Sequence, residues 1–190
     1  MPNVMNIPVS YIRCALQERY SAQEAANLSR IVCCEMLGQT TVDYYLGKDI
    51  ILSPKEKQDL DGILARLHKF EPIQYIQGSA RFLERSYLVA PGVLIPRPET
   101  EELVEMMIKE IPADAHILDI GTGSGCIAVS LSKAFPDAGV TAWDISEEAL
   151  LIARQNNDRL GGNVRFLRQD VFAYMPDGKE YYDVIVSNPP

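Results

Sequence analysis

The residues from His116 to Ser130 constrain the fold more than any other part of the chain. An apolar run is followed by glycines at alternate positions, Gly121, Gly123 and Gly125, and then by small and apolar residues with helical spacing. Glycine permits left-handed backbone conformations and lets a ligand come close to the main chain. A strand, a glycine-rich turn and a helix in this order are typical of nucleotide-cofactor sites in α/β proteins.

The residues around this turn alternate between strand and helix patterns. Hydrophobic spacing predicts strands over residues 117–120, 139–144, 163–168 and 182–187. Helices are predicted over residues 125–134 and from a cap at Ser146 to about Arg159. Strands and helices that alternate at these lengths form a parallel, doubly wound sheet, so we expect an α/β fold for this part of the chain.

Residues 1–73 are predicted to form a small helical bundle. Apolar residues recur at helical spacing after Val9, and two capping-box patterns, beginning at Ser21 and Ser53, open further helices. The second of these has Pro54 at the first helical position, where proline is favoured. Nothing in this region resembles a reactive cluster, so a purely structural role and a docking role are both open.

Residues 74–97 are predicted to be a β-hairpin linker between two domains. Prolines and glycines punctuate the segment, and short extended runs, including residues 87–89 and 93–95, lie between them. Pro98 then opens another helix whose first turn carries Glu99, Glu101 and Glu102. By itself this acidic cluster is typical of a solvent-exposed helix start, where the helix dipole favours negative charge.

The composition excludes several classes of protein. The formal net charge is −8, and the chain has no basic stripe, which argues against direct nucleic-acid binding. No run of about 18 apolar residues occurs, so we expect no membrane span, and a cytoplasmic location is the default. The four cysteines and two histidines lack the spacing of metal ligands, so we expect neither a metal site nor a disulfide framework.

The spacing of the glycines favours S-adenosyl-L-methionine over a dinucleotide. A dinucleotide fingerprint has Gly or Ala at the sixth position of Gly-x-Gly-x-x-Gly, and Cys126 stands there. Asp144 ends the second predicted strand and could accept hydrogen bonds from both hydroxyls of a ribose, while Asp170 and Val171 could border an adenine ring. Glycine-rich turns also join strands to helices without any ligand, so the pattern alone leaves both interpretations open.

The Asn188-Pro189-Pro190 sequence after the fourth predicted strand is the most specific signal. Two prolines remove backbone donors and stiffen the exit from a strand. The Asn188 side-chain carbonyl and the Pro189 backbone carbonyl could together accept hydrogen bonds from one planar NH2 group. Such a clamp would aim the nitrogen at an electrophile, here the methyl group of S-adenosyl-L-methionine.

With these motifs assembled, the chain resembles the PrmC/HemK family, the glutamine N5-methyltransferases of peptide chain release factors. The resemblance rests on Pro72–Gly78, Val93–Glu101, Ile117–Ala128 and Ile185–Pro190. It implies a helical domain at residues 1–73 that docks the release factor and a Rossmann-like methyltransferase domain at residues 98–190. That domain would act on the glutamine of a Gly-Gly-Gln motif, with S-adenosyl-L-homocysteine as the second product.

The resemblance also implies roles for individual residues. The substrate clamp would be Asn188, Pro189 and Pro190, and the segment beside the cofactor pocket would be Arg97, Pro98, Glu99 and Thr100. The cofactor site would consist of Gly121, Thr122, Gly123, Ser124, Gly125, Asp144, Asp170, Val171 and Asn188.

The tyrosine that follows Asn-Pro-Pro in the family is absent, so we expect this chain to be the N-terminal portion of the enzyme, with an incomplete sheet and an uncovered fourth strand. Three alternatives remain: glutamine methylation of a ribosomal protein, N6-adenine methylation of DNA, and a non-catalytic fragment that binds S-adenosyl-L-methionine. An adenine amino group would suit the clamp as well as an amide, but the acidic charge balance argues against DNA.

Overall fold

The computed structural model describes residues 4–175, 178 and 181–189, and its chain divides into two compact units between Gln77 and Gly78. Pro190, the last residue of the predicted substrate clamp, lies outside the described residues. Among the helices that are described, none is both long and apolar enough to cross a membrane.

The first unit is mainly helical. Its elements in chain order are β1 (Met5–Ile7), α1 (Val9–Gln17), α2 (Ala22–Ile31), α3 (Thr41–Tyr45), β2 (Ile50–Leu52), α4 (Pro54–Leu67) and α5 (Ile73–Gln77). The predicted helical bundle is confirmed, but β1 and β2 add a small antiparallel pair that the sequence pattern did not reveal. The helix predicted to run on towards Gly38 changes to a π-helix over Val32–Met36.

The predicted capping box at Ser53 is confirmed, whereas the one at Ser21 forms only the bond to the Ser21 side chain. The Ser21 hydroxyl accepts a hydrogen bond from the Glu24 N–H at 3.3 Å. At the start of α4, the Ser53 hydroxyl accepts from the Glu56 N–H at 3.3 Å, and the Glu56 carboxylate accepts from the Ser53 N–H at 2.7 Å. These reciprocal bonds satisfy two amides that a helix start would otherwise leave unpaired, which fixes where the helix begins.

The second unit contains a hairpin and a parallel sheet. Its elements are β3 (Ser79–Phe82), β4 (Arg85–Leu88), α6 (Pro98–Glu110), β5 (His116–Ile120), α7 (Cys126–Ala134), β6 (Gly139–Asp144), α8 (Glu147–Leu160), β7 (Val164–Arg168) and β8 (Val184–Ser187). The last four strands are parallel and lie in the order β7-β6-β5-β8. The predicted α/β fold is therefore confirmed, with strand ends within two residues of the expected positions.

Two expectations for residues 74–97 need correction. The segment begins inside helix α5, because a turn of helix continues to Gln77. The hairpin itself is confirmed, but it is limited to β3 and β4, and residues 93–95 form no strand. Leu83 and Glu84 at its tip both have positive φ, which suits the tight two-residue turns that join antiparallel strands.

The acidic start of α6 is also more than a solvent-exposed cluster. The Glu101 carboxylate accepts a hydrogen bond from the Leu83 N–H at 2.7 Å, so this side chain holds the tip of the hairpin. Glu99 and Glu102 are exposed, as the sequence pattern predicted. The hairpin is further anchored by Tyr87, whose hydroxyl lies 2.8 Å from the Ser130 hydroxyl on α7 in the core of the unit.

The strand order places a reversal of direction beside β5. The chain moves from β5 to β6 and then β7 on one side, and returns to place β8 on the other side of β5. In open α/β sheets, ligands bind outside the carboxyl ends of the strands at such a switch point. Strand β8 lies at the edge of the described sheet, and its Ile185 is 61% exposed.

Candidate functional site

Parallel pairing brings the carboxyl ends of β5, β6 and β8 side by side. Ile120, the last residue of β5, pairs with Trp143 on β6 and with Ser187 on β8. The residues that follow these partners, Asp144 and Asn188, therefore flank the start of the glycine-rich turn. Two strand spacings of about 4.8 Å separate their backbones by about 10 Å.

The glycine-rich turn is hydrogen-bonded to the end of β6. The N–H groups of Gly121 and Thr122 both donate to the Trp143 carbonyl, at 2.9 and 3.0 Å. The N–H of Gly123 donates to Asp144 Oδ2 at 2.9 Å. Three consecutive amides are thus fixed by two residues of the neighbouring strand, so the conformation of the turn depends on β6.

The three glycines differ in the space around them. All three have positive φ, from +55° to +78°. A Cβ at Gly121 would meet nothing within 4 Å, and one at Gly123 would meet only the Leu94 nitrogen at 4.0 Å. A Cβ at Gly125 would lie 3.0 Å from the Cβ of Ala153 on α8. The first two glycines leave room for a ligand to approach the backbone, whereas the third lets α7 and α8 pack closely.

Asp144 is placed as the sequence analysis expected. It is half-buried, and its two carboxylate oxygens accept from the Gly123 N–H and the Ser146 N–H, each at 2.9 Å. A carboxylate oxygen has more than one lone pair, so both can accept further bonds from ribose hydroxyls. Ile145, the next residue, is 60% exposed at the same edge. Ile145 is not among the residues predicted from the sequence, although an apolar residue directly after a strand-end aspartate is a signal for such a position.

A second aspartate, Asp119, lies beneath the turn. Its side chain is fully buried in β5, and its Oδ2 accepts from the Thr122 hydroxyl at 2.6 Å. Burial is the main reason that the pKa of Asp119 rises from 3.8 to about 6, and the charge of Asp144 acts in the same direction. Thr122 is itself buried, so this pair supports the turn from inside.

The end of β7 carries Asp170 and Val171. The Asp170 carboxylate accepts from the Phe172 N–H at 2.9 Å and caps a short 3₁₀ helix at Val171–Ala173. Val171 is 42% exposed. Asp144 at the end of β6 pairs with Arg168 at the end of β7. Asp170 and Val171 therefore lie just beyond the end of β7, next to the end of β6. Their predicted contact with an adenine ring stays a prediction.

Asn188 has a partner that the sequence did not reveal. Its side-chain NH2 donates to the Thr100 hydroxyl on α6 at 2.8 Å. Asn188 is half-buried, Thr100 is only 6% exposed, and Pro189 is exposed. The Ser187 hydroxyl donates to the Ile120 carbonyl at 2.8 Å and holds the strand end beside the turn. The NH2 end of the Asn188 amide is thus bonded to Thr100, and within the described part of the chain no hydrogen bond is found at its carbonyl end.

The segment from Arg97 to Thr100 divides into exposed and buried residues. Arg97, Pro98 and Glu99 are exposed at the start of α6, whereas Thr100 is buried and meets Asn188. The structure therefore connects the predicted pocket segment to the predicted substrate clamp through one side chain.

Asn156 on α8 is a further residue that the sequence analysis missed. It is fully buried, and its NH2 donates to the carbonyls of Ser124 at 2.9 Å and Leu88 at 3.0 Å. Its Oδ1 accepts from the Leu88 N–H at 2.6 Å. Asn156 thereby joins the glycine-rich turn to the end of the hairpin. The sequence does contain a signal for this role, because Asn156 is a polar residue on the apolar stripe that includes Ala149 and Ala153.

Comparison with known proteins gives matches in both units. The family model "PrmC N-terminal domain" matches residues 7–78, and "Methyltransferase small domain" matches residues 98–190. A release factor glutamine methyltransferase of Bacteroides thetaiotaomicron is 57% identical over 98% of this chain and 67% of its own length. Proteins of the same name from Koribacter versatilis and Geobacter sulfurreducens are 48% and 42% identical, over 73% and 81% of this chain and 50% and 54% of their own lengths. The chain thus spans about half to two thirds of these curated relatives.

Proposed function

The chain belongs to the release factor glutamine methyltransferase family, and we propose that the protein it forms methylates the side-chain amide nitrogen of a glutamine in peptide chain release factors. The substrate would be the glutamine of the Gly-Gly-Gln motif. The observation that carries this proposal is the Asn188 amide, which lies beside the open part of the glycine-rich turn with its NH2 end held by Thr100.

The cofactor of the family is S-adenosyl-L-methionine, which supplies a methyl group on a positively charged sulfur and is converted to S-adenosyl-L-homocysteine. The open space at Gly121 and Gly123 fits a ligand that lies against the backbone. Asp144 would hold the ribose hydroxyls, and Ile145 and Val171 offer exposed apolar surface for the adenine. We assign Thr122, Ser124 and Gly125 mainly to the support of the turn, since the first two are buried and the third packs on Ala153.

Asn188 and Pro189 would position the substrate nitrogen. Asn188 Oδ1 and the Pro189 carbonyl would each accept a hydrogen bond from the NH2 of the substrate glutamine, and Pro190 would stiffen the same strand exit. Two acceptors in one plane orient the nitrogen and stabilise the positive charge that develops on it as it gains a methyl group. The methylated nitrogen is then positively charged and releases one of its two protons to water, so no strong base is needed to begin the reaction.

The helical unit would supply the docking surface for the release factor. This assignment covers residues 1–73, with the linker at 74–97 and the methyltransferase domain at 98–190. A similar amide clamp could act on a glutamine of a ribosomal protein, and the clamp geometry alone favours neither substrate. The net charge of −8 supports a protein substrate over DNA.

A methyl-transfer assay tests the proposal. The full-length enzyme that contains this sequence is incubated with radiolabelled S-adenosyl-L-methionine and, in separate reactions, a release factor, ribosomal proteins and DNA. We expect label only in the release factor, and none when its Gly-Gly-Gln glutamine is replaced by alanine. Label in the ribosomal proteins or DNA instead would refute the substrate assignment. If the 190-residue chain binds the cofactor but transfers no methyl group where the full-length enzyme does, it is a binding fragment.

A further inference from the structure

The contact between Thr100 and Asn188 suggests how the substrate clamp is oriented. The two residues are 88 positions apart in sequence, and the Thr100 hydroxyl lies 2.8 Å from Asn188 Nδ2. We propose that Thr100 is a positioning residue that holds the NH2 end of Asn188, so that the carbonyl end faces the substrate amide. This inference rests on the proposed function and adds an explanation of why the Asn188 amide is oriented with its carbonyl towards the substrate.

An asparagine side chain needs such a partner because its two ends have almost the same shape and opposite hydrogen-bonding character. If the amide turned by 180°, its NH2 would face the NH2 of the substrate, and two donors cannot bond each other. A clamp for an NH2 group therefore requires a second contact that fixes the amide. On β8, Asn188 follows the last paired residue, so the strand ladder alone does not fix its side chain.

Thr100 is suited to this task by its burial and its location. The side chain is 6% exposed, so water has little access to the hydroxyl and cannot easily replace the bond. It lies in the first turn of α6, whose Val104 is fully buried and whose Met107 is 7% exposed in the core of the unit. The hydroxyl is thus attached to a rigid element, and the bond transfers that rigidity to Asn188. Arg97, Pro98 and Glu99 are exposed and have no comparable position.

The experiment compares Thr100→Val, which keeps the size and removes the hydroxyl, with Thr100→Ser, which keeps the hydroxyl. Loss of one neutral hydrogen bond predicts a fall in kcat of roughly 3- to 10-fold for Thr100→Val in the full-length enzyme. The dissociation constant of S-adenosyl-L-methionine and the thermal midpoint should stay close to wild type. Thr100→Ser should recover most of kcat. In an Asn188→Ala background, Thr100→Val should have no further effect, because the residue that it positions is gone.

A matched control is Thr141→Val. Thr141 is 8% exposed and lies in β6 three residues before Asp144, about 10 Å from that end of the strand. The same chemical change there should leave kcat unchanged. A wild-type kcat in Thr100→Val would overturn the proposal. So would a loss of cofactor affinity as large as the loss of kcat, or a clearly lower thermal midpoint, because either would show a general structural effect.

A spectroscopic measurement on the 190-residue chain keeps this test separate from the activity. The Asn188 side-chain NH2 signals in a ¹⁵N spectrum, assigned by their disappearance in Asn188→Ala, should shift and exchange faster with solvent in Thr100→Val than in Thr141→Val. Unchanged signals would refute the contact. If the wild-type enzyme does not methylate a release factor, the proposed function fails, and these signals alone decide whether Thr100 holds Asn188.

Discussion

The glycine-rich turn has two sides that differ in what surrounds them. The open side consists of residues with free space or partial exposure, namely Gly121, Gly123 and Asp144. The buried side consists of residues packed inside the second unit, namely Asp119, Gly125 and Asn156. Under the proposed function the open side would bind the cofactor, whereas the packed residues of the buried side support the shape of the turn. Substitutions on the two sides should therefore change different measured quantities.

The largest effect on a measured quantity is expected from substitution of Asn188, which lies next to the open side of the turn. If Asn188 clamps the substrate nitrogen as proposed, Asn188→Ala removes a carbonyl that stabilises the charge developing there, and methyl transfer to a release factor should fall by about 1000-fold. Cofactor affinity should change little, since the turn and Asp144 remain. Transfer of radiolabelled methyl and calorimetry on the same preparation measure the two quantities. An active Asn188→Ala enzyme would show that another group holds the substrate.

Asp144→Ala should reduce the affinity for S-adenosyl-L-methionine by about 100-fold, because hydrogen bonds to a charged acceptor contribute about 1.5–3 kcal/mol each. The control is Asp114→Ala, which removes an exposed aspartate just before the amino end of β5. Titration calorimetry of the 190-residue chain measures both. Equal affinities in the two variants would remove Asp144 from the cofactor site.

The sequence predicted the open side better than the buried side. Glycine spacing, a strand-end aspartate and Asn188-Pro189 are local patterns, and hydrophobic alternation located β5 to β8 to within two residues. The role of Asn156 depends on contacts with Leu88 and Ser124, which are 68 and 32 residues away in sequence. Only the packed structure brings such partners together, so a local pattern shows at most that a polar residue lies on a buried face.

The same limit explains the errors in the first unit. Strands β1 and β2 have three residues each and pair across more than 40 residues of chain, so neither is long enough to show a periodic pattern. The capping box at Ser53 was predictable because its partner, Glu56, lies three residues away. Likewise, the glycine pattern indicated a turn with positive φ but could not indicate which glycine faces α8.

Asp119 on the buried side should affect stability as a function of pH. Its folded pKa of about 6 lies above its ordinary value of 3.8, so the folded state retains a proton that the unfolded state loses. This stabilisation is fully present below about pH 4 and is lost as the pH rises through about 6. Relative to Asp119→Asn, the wild type should lose about 2–3 kcal/mol of unfolding free energy between pH 4 and pH 7.

Urea unfolding of both proteins at several pH values measures this difference. Carboxylates that do not interact with Asp119 contribute equally in the two proteins and cancel in the subtraction. A difference that does not depend on pH would show that Asp119 has an ordinary pKa. Asp144→Asn provides a comparison, because it alters the neighbouring carboxylate, whose charge raises the pKa of Asp119. In that variant the transition should move to lower pH.

The smallest effect separates two glycines in the same turn. Gly121→Ala and Gly125→Ala both force alanine into a positive φ, which costs about 1–2 kcal/mol in either case. Only at Gly125 does the new Cβ also meet Ala153, at 3.0 Å, so this variant should be less stable by about a further 1–2 kcal/mol. Gly121→Ala should lose more cofactor affinity, because its Cβ would enter the open space that we propose for the cofactor. Urea unfolding ranks the two variants by stability, and titration calorimetry ranks them by cofactor affinity. If the same variant is the more impaired in both measurements, the two sides of the turn do not differ in role.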